Sequence, residues 1–305
     1  MKYSVLDIFR NPLETAELVQ KADSLGFHRY WIGEHHNPSQ CANPVLLSAV
    51  LLGLTERIRI GTGAVDVQSR SPLSLADDGR MIRLLYGDRF DLGVSRSLVG
   101  AGPAAESNDR LRALLLDGRD PVQMRETVGD RLRALRELLS LEGRLRFPFW
   151  LVGSSAASAR SAATLGVGFC TSLYHAASIP LLESAIAIYR DEFRGTGGLE
   201  RPIVILAQCG VCAETREQAL QALRVFFEAE GDDPATFTPK PMAPWLFAGT
   251  GEQCRETIEA AAARFAPDEV MVHNLLPTSL AAERRSLELL GAALELPRVA
   301  APSAA

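Results

Sequence analysis

The feature that most constrains the fold of this 305-residue chain is one alternation repeated eight times, a short apolar run followed by a longer amphipathic one. The strand-like runs fall at 3–8, 29–33, 58–65, 90–94, 149–153, 168–172, 203–211 and 269–273. The helical runs follow at 12–25, 44–54, 72–86, 121–141, 156–165, 179–193, 215–227 and 279–294. Alternation of this kind is the signature of repeated βα units, whose parallel strands are buried on both faces and read as apolar nearly throughout. Pro12, Pro44, Pro72 and Pro121 open four of the helical runs, at the position where a missing N–H costs least. Eight strands point to closure into an α/β barrel of the (β/α)8 TIM type rather than an open doubly wound sheet, because closure leaves no exposed edge. With 47% hydrophobic residues the chain can fill one such core, and barrels of about 250 residues commonly form one domain. The expected domain is 1–297, followed by a flexible tail at 298–305.

Two rim insertions interrupt the repeat, near 97–120 and 228–265. The second carries Pro234, Pro239, Pro241 and Pro244 among Phe237, Trp245 and Phe247. It is therefore expected to be irregular up to 248 and then to enter an extra helix over 252–265. Its aromatics are suited to capping a pocket, although an ordinary surface excursion explains them equally well.

A net charge of -5 supplies no general attraction to nucleic acid or to an anionic membrane, so neither is expected as a partner. The N-terminus lacks a long apolar signal region, and no stretch approaches about 18 uncharged apolar residues. The expected location is the cytoplasm. Five cysteines, an odd number scattered along a large chain, do not describe a disulfide framework and are expected as thiols. Cys209 and Cys212 have the spacing of half a zinc site, but strand alternation turns their sulfurs to opposite faces, and no metal site is expected.

In a parallel barrel the C-terminal strand ends form one rim, so residues distant in sequence converge there. His35, His36, His175 and His273 all follow strand-like runs, and imidazole is the side chain best suited to move protons near neutral pH. Glu34-His35-His36 is the densest such group, a plain surface turn being the alternative. Gly153-Ser154-Ser155-Ala156 ends an apolar strand and opens a helix, where small residues let an anion reach free N–H groups at the positive end of the helix dipole and the Ser154 and Ser155 hydroxyls can add donors. Serine N-capping is the simpler reading of the same residues. Arg96 follows the fourth strand, and its guanidinium can pair with phosphate oxygens through two parallel hydrogen bonds. Gly61 and Gly63 weaken the third strand, which implies a bulge or close approach by a flat ligand. No Gly-x-Gly-x-x-Gly turn follows the first strand, so a Rossmann dinucleotide site is not supported.

The chain resembles the bacterial luciferase-like flavin-dependent monooxygenase family over nearly its whole length. The resemblance is carried by Tyr30-Trp31-Ile32-Gly33-Glu34-His35-His36-Asn37, Arg57-Ile58-Arg59-Ile60-Gly61-Thr62-Gly63, Gly87-Asp88-Arg89-Phe90-Asp91-Leu92-Gly93 and Leu151-Val152-Gly153-Ser154-Ser155. It implies a barrel that binds FMN as FMNH2, with the phosphate held by Arg96 and the Gly153 to Ala156 turn. The isoalloxazine would then lie against a non-proline cis peptide at Gly63-Ala64, with Ser95 near the ring where luciferases carry cysteine. His35 matches the family's catalytic histidine, with Glu34 and His36 beside it, and would assist formation and use of a flavin C4a-hydroperoxide. The implied partners are O2, a small organic substrate and a separate NAD(P)H:flavin reductase. A nearly all-apolar helix at 44–54 suggests a homodimer face. Hydride transfer from the deazaflavin F420 on the same barrel is the alternative activity, and a non-catalytic flavin-binding protein is the alternative of another class.

Overall fold

A computed structural model of the protein describes residues 1–8, 10–36, 40–96, 118–140, 148–195, 199–229, 243–276 and 279–297. The 298–305 tail, 97–117 of the first rim segment and 230–242 of the second lie outside the described residues. The strands are β1 (Lys2–Asp7), β2 (Arg29–Ile32), β3 (Arg59–Thr62), β4 (Val65–Asp66), β5 (Phe90–Ser95), β6 (Phe149–Val152), β7 (Gly168–Ser172), β8 (Val204–Cys212), β9 (Phe247–Gly249) and β10 (Glu269–Asn274). All pairings among them are parallel. The order β10-β1-β2-β3-β5-β6-β7-β8 closes on itself where β10 pairs β8, from Glu269 opposite Ile205 to Asn274 opposite Gly210. The result is an eight-stranded (β/α)8 barrel. Helices Pro12–Leu25, Pro72–Tyr86 and Ala156–Leu165 begin and end where the sequence places them.

Two regions depart from expectation. The third strand is not continuous over 58–65: β3 stops at Thr62, the Gly63–Ala64 peptide is cis, and β4 resumes pairing with β5. Across the break Thr62 Oγ1 donates to Gly93 O at 2.7 Å and accepts from Gly93 N at 2.9 Å, replacing the lost ladder contacts with a side chain. The proline-rich segment expected to stay irregular up to 248 instead ends in a 3-10 turn, Ala243–Trp245, and then β9, which extends the end of β8. Thr250 and Gln253 form a capping box that starts the next helix at Gly251, one residue ahead of the expected boundary.

Strand alternation separates two buried sets. Val5, Tyr30, Ile60, Leu92, Phe169 and Val272 belong to the large cluster between barrel and helices, while Leu6, Trp31, Trp150, Cys170, Ile205, Ala207 and Met271 pack as a second cluster inside the barrel. The interior glycine at 61 is explained by this packing and not by a ligand: a Cβ there would lie 2.5 Å from the Trp31 indole. Gly168 makes the same room for Trp150, and the two rings meet edge to face at 5.8 Å. Below them Arg29 bonds Asp91 and Glu269, Arg59 bonds Asp91 at 2.7 Å, and Trp150 Nε1 donates to Asp91 at 2.9 Å. The N-terminal end of the barrel is thus plugged by paired charges under an aromatic floor. No helix among the described residues is long and apolar enough to cross a membrane.

Candidate active site

The opposite, C-terminal rim opens into a cavity of about 660 Å³. Its described lining includes every residue expected for the cofactor: Gly63, Ala64, Ser95, Arg96, Gly153, Ser154, Ser155 and Ala156. Leu6, Ile8, Val152, Ala207 and Met271 form its apolar wall. The ends of β1, β3, β5, β6 and β7 therefore bring together segments that are more than a hundred residues apart in sequence.

Ser155 N-caps the helix Ala156–Leu165, its Oγ accepting from Ser158 N at 3.2 Å, so the simple capping reading holds for that side chain. Ser154 is committed elsewhere. Its Oγ donates to Ser172 O at 3.1 Å and accepts from Ser172 N and Thr171 Oγ1, which ties the β6 turn to the end of β7. Neither serine is the freely directed hydroxyl donor that the sequence suggests. What the turn does offer an anion is the backbone: the N–H groups of Ala156 and Ala157 lie in the first helical turn, where no intrahelical acceptor exists. Gly153 keeps this approach open, since a Cβ there would lie 2.6 Å from Ser158 Oγ. Arg96 is half-buried beside it, and its Nε is buried with no hydrogen-bond partner.

Glu34 and His36 do not line the cavity. Glu34 is buried, and its carboxylate is fully engaged: Oε2 accepts from Asp66 N at 3.0 Å, while Oε1 meets His36 Nε2 at 2.8 Å and Arg70 at 3.5 Å. Its own N–H donates to Ala64 O at 3.3 Å. Glu34 is thus tied to the cis turn through both its carboxylate and its backbone N–H.

His35 is not among the lining residues of the cavity. Gly33 lies between it and Ile8, a lining residue: a Cβ built on Gly33 would lie 3.3 Å from Ile8 Cγ1 and 3.6 Å from His35 Cδ2. Burial, with the neighbouring imidazoles of His36 and His175, holds His35 below the usual histidine range, against the pull of Glu34. His273 lies inside β10, not beyond it. Its Nδ1–H donates to Leu6 O at 2.9 Å, and burial pushes its pKa down to about 4. His175 does line the cavity, with Nδ1 3.2 Å from Ser172 Oγ. Sequence reasoning noted His175 only for following a strand. The signal that marks it is the hydroxyl pair Thr171-Ser172 at the strand end, three residues before the ring.

The luciferase-like monooxygenase family profile matches residues 1–276, and the chain belongs to that family. It is 30% identical over 225 residues to a luciferase-like monooxygenase of Escherichia coli K12. That alignment covers 71% of this chain and 64% of the relative, so the chain spans a little under two thirds of that protein's length. Its structure is similar to that of apo-MsnO8, at a TM-score of 0.81 and 26% identity over 98% of this chain and 99% of the other. The same fold occurs at 16% identity in two further structures. One is the oxygenating constituent of 3,6-diketocamphane monooxygenase from Pseudomonas putida in complex with FMN, with a TM-score of 0.69 over 99% of this chain and 100% of that one. The other is the coenzyme F420 dependent tetrahydromethanopterin reductase of Methanopyrus kandleri, with a TM-score of 0.71 over 95% and 97%.

Proposed function

We propose that the chain is the oxygenating component of a two-component monooxygenase, using FMNH2 and O2 on a small organic substrate, with a separate NAD(P)H:flavin reductase in the cytoplasm supplying the reduced flavin. The observation that carries this reading is the unpartnered, buried Nε of Arg96, a cationic donor beside an open helix N-terminus in one large cavity. A phosphate monoester matches that donor set, because charge-assisted bonds from guanidinium and backbone N–H are the strong ones. The apolar wall and the nearby Ala64 backbone match a flat, largely apolar ring system.

Reduced flavin, when bound, supplies the electrons that activate oxygen. The chain's own residues do the rest. Arg96 and the Ala156 and Ala157 N–H groups hold the phosphate, and Leu6, Ile8, Val152 and Met271 exclude water from the ring. Ser95, which lines the same cavity, would face the bound flavin. His35, kept neutral by its burial, is the proposed group that takes up and returns a proton at an imidazole nitrogen, with Glu34 and His36 fixing its segment. Exposed Leu46 and Val50 on helix Pro44–Gly53, with Leu73, Met81, Leu84 and Leu85 on the next helix, support a homodimer of barrels, each read as one domain over 1–297.

The test is anaerobic titration with FMNH2 followed by oxygen mixing, for the unaltered chain and for Arg96→Ala. The unaltered chain is expected to bind FMNH2 and change its rate of oxidation. The variant is expected to bind FMNH2 about 10- to 100-fold more weakly, the loss of about 1.5 to 3 kcal/mol typical of a hydrogen bond to a charged group. FMNH2 that is neither bound nor oxidised differently from free flavin overturns the reading. Uptake of F420 in its place would substitute the hydride-transfer activity.

A further inference from the structure

Gln68 is fully buried and does not line the cavity, yet it is bonded to the residue on which phosphate recognition depends. Its Nε2 donates to Arg96 O at 3.0 Å, and its backbone N–H donates to Asp66 Oδ1 at 2.9 Å. Asp66 N donates to Glu34 Oε2 at 3.0 Å, and Glu34 N donates to Ala64 O at 3.3 Å. Four bonds thus run without a gap from Ala64, beside the cis peptide, to the backbone of Arg96. The sheet itself carries the connection only as far as Ser95, whose carbonyl accepts from Val67 N at 3.3 Å. The ladder of β5 ends with Ser95, opposite Asp66 on one side and Val152 on the other, so the Arg96 carbonyl lies one residue past the last strand pair.

Stability gives a poor reason for Gln68. Its Oε1 is buried with no hydrogen-bond partner, a destabilising arrangement that an apolar side chain of equal length avoids. A reason that does fit is placement. A ligand gripped at two ends binds well only when both grips are in register, and an error of about 1 Å is enough to lose much of the interaction.

We propose that Glu34, Asp66 and Gln68 are positioning residues that hold the Ala64 wall and the Arg96 guanidinium at a fixed separation, so that a flavin's ring and its phosphate meet their contacts together. None of the three touches the ligand. The inference rests on the FMN reading above and extends it to residues outside the cavity.

The experiment compares the affinities of FMN and riboflavin, which lacks the phosphate, in the unaltered chain and in Gln68→Met. Methionine keeps the length of the side chain and removes both its donor and its unpartnered acceptor. FMN affinity is expected to fall about tenfold while riboflavin affinity stays unchanged. A structural role alone would lower the melting temperature and leave the ratio of the two affinities where it was, and that result overturns the inference, as does a parallel loss of both ligands. Should Gln68→Met fail to fold, Asp66→Ala and Asp66→Asn decide. Asparagine keeps an oxygen that can accept from Gln68 N and is expected to retain the FMN preference that alanine loses; equal ratios in the two variants overturn the inference. An unaltered chain that shows no preference for FMN over riboflavin fails at the earlier step, removing the phosphate site and this inference with it.

Discussion

The two ends of the barrel handle buried charge in opposite ways. At the N-terminal end, Arg29, Arg59, Asp91 and Glu269 are paired among themselves beneath two indoles. At the C-terminal end, Arg96 keeps an unpaired donor and His35 and His273 are held away from their charged forms. One end has closed its electrostatics and the other has left them open to a ligand. The contrast teaches that a single barrel can place fold stability at one end and chemistry at the other, so changes at the two ends should be read out by different measurements.

The largest effect is expected at the base. Burial pushes the Asp91 carboxyl up, but Arg29 and Arg59 outweigh it and hold the group below the ordinary aspartate range. Asp91→Ala takes the shared carboxylate from two guanidinium groups, leaving Arg29 to Glu269 alone and Arg59 without its ion pair, and is expected to cost about 3 to 5 kcal/mol in urea unfolding. Flavin affinity of the folded fraction should not change, and a variant with normal stability and lost flavin binding would break the division between the two ends.

A smaller effect comes from His273 at the rim. Its pKa in the fold, about 4, lies below its unfolded value of about 6.5. The unfolded chain therefore takes up a proton that the folded chain refuses, and stability is lost as pH falls from about 6.5 to about 4. Glu283, pushed up to about 8 by burial and by Asp7, acts with the opposite sign, so the comparison must be paired. Relative to the unaltered chain, His273→Gln is expected to lose about 2 to 3 kcal/mol less between pH 6.5 and 4. Parallel stability curves for the two chains would mean that His273 titrates in the fold as it does in the unfolded chain, overturning the shift.

The smallest effect sharpens the contrast. Ser155→Ala removes an N-cap and is expected to cost about 1 kcal/mol of stability while lowering FMN affinity little, because the anion contacts assigned to this turn are backbone N–H groups. A large loss of FMN binding with unchanged stability would return a direct role to the hydroxyl.

Most of the barrel was legible because its signals are local: alternating apolar runs, prolines at helix starts, and small residues where the β6 turn opens a helix. What escaped depends on partners distant in sequence. Gly61 reads as space for a ligand until Trp31, thirty residues earlier on the next strand, is found filling it. Glu34 reads as an acid beside two imidazoles until its carboxylate is found on Asp66 N, 32 residues away. The strand β9 was hidden by the prolines before it, since three residues paired only to the end of β8 carry no periodicity of their own. The eight positions expected at a cofactor do line one cavity, but the hydroxyl of Ser154 is engaged by Ser172, a partner on the following strand that local sequence does not reveal.

The crossed indoles of Trp31 and Trp150 carry a practical consequence. They pack in the same interior cluster as Leu6, Cys170, Ala207 and Met271, four side chains that also line the cavity. A single stratum of atoms therefore separates two natural fluorophores from whatever occupies the chamber above. An isoalloxazine absorbs where indole emits, so occupancy of that chamber should dim the protein's own ultraviolet glow, giving an optical gauge of loading that needs no added dye.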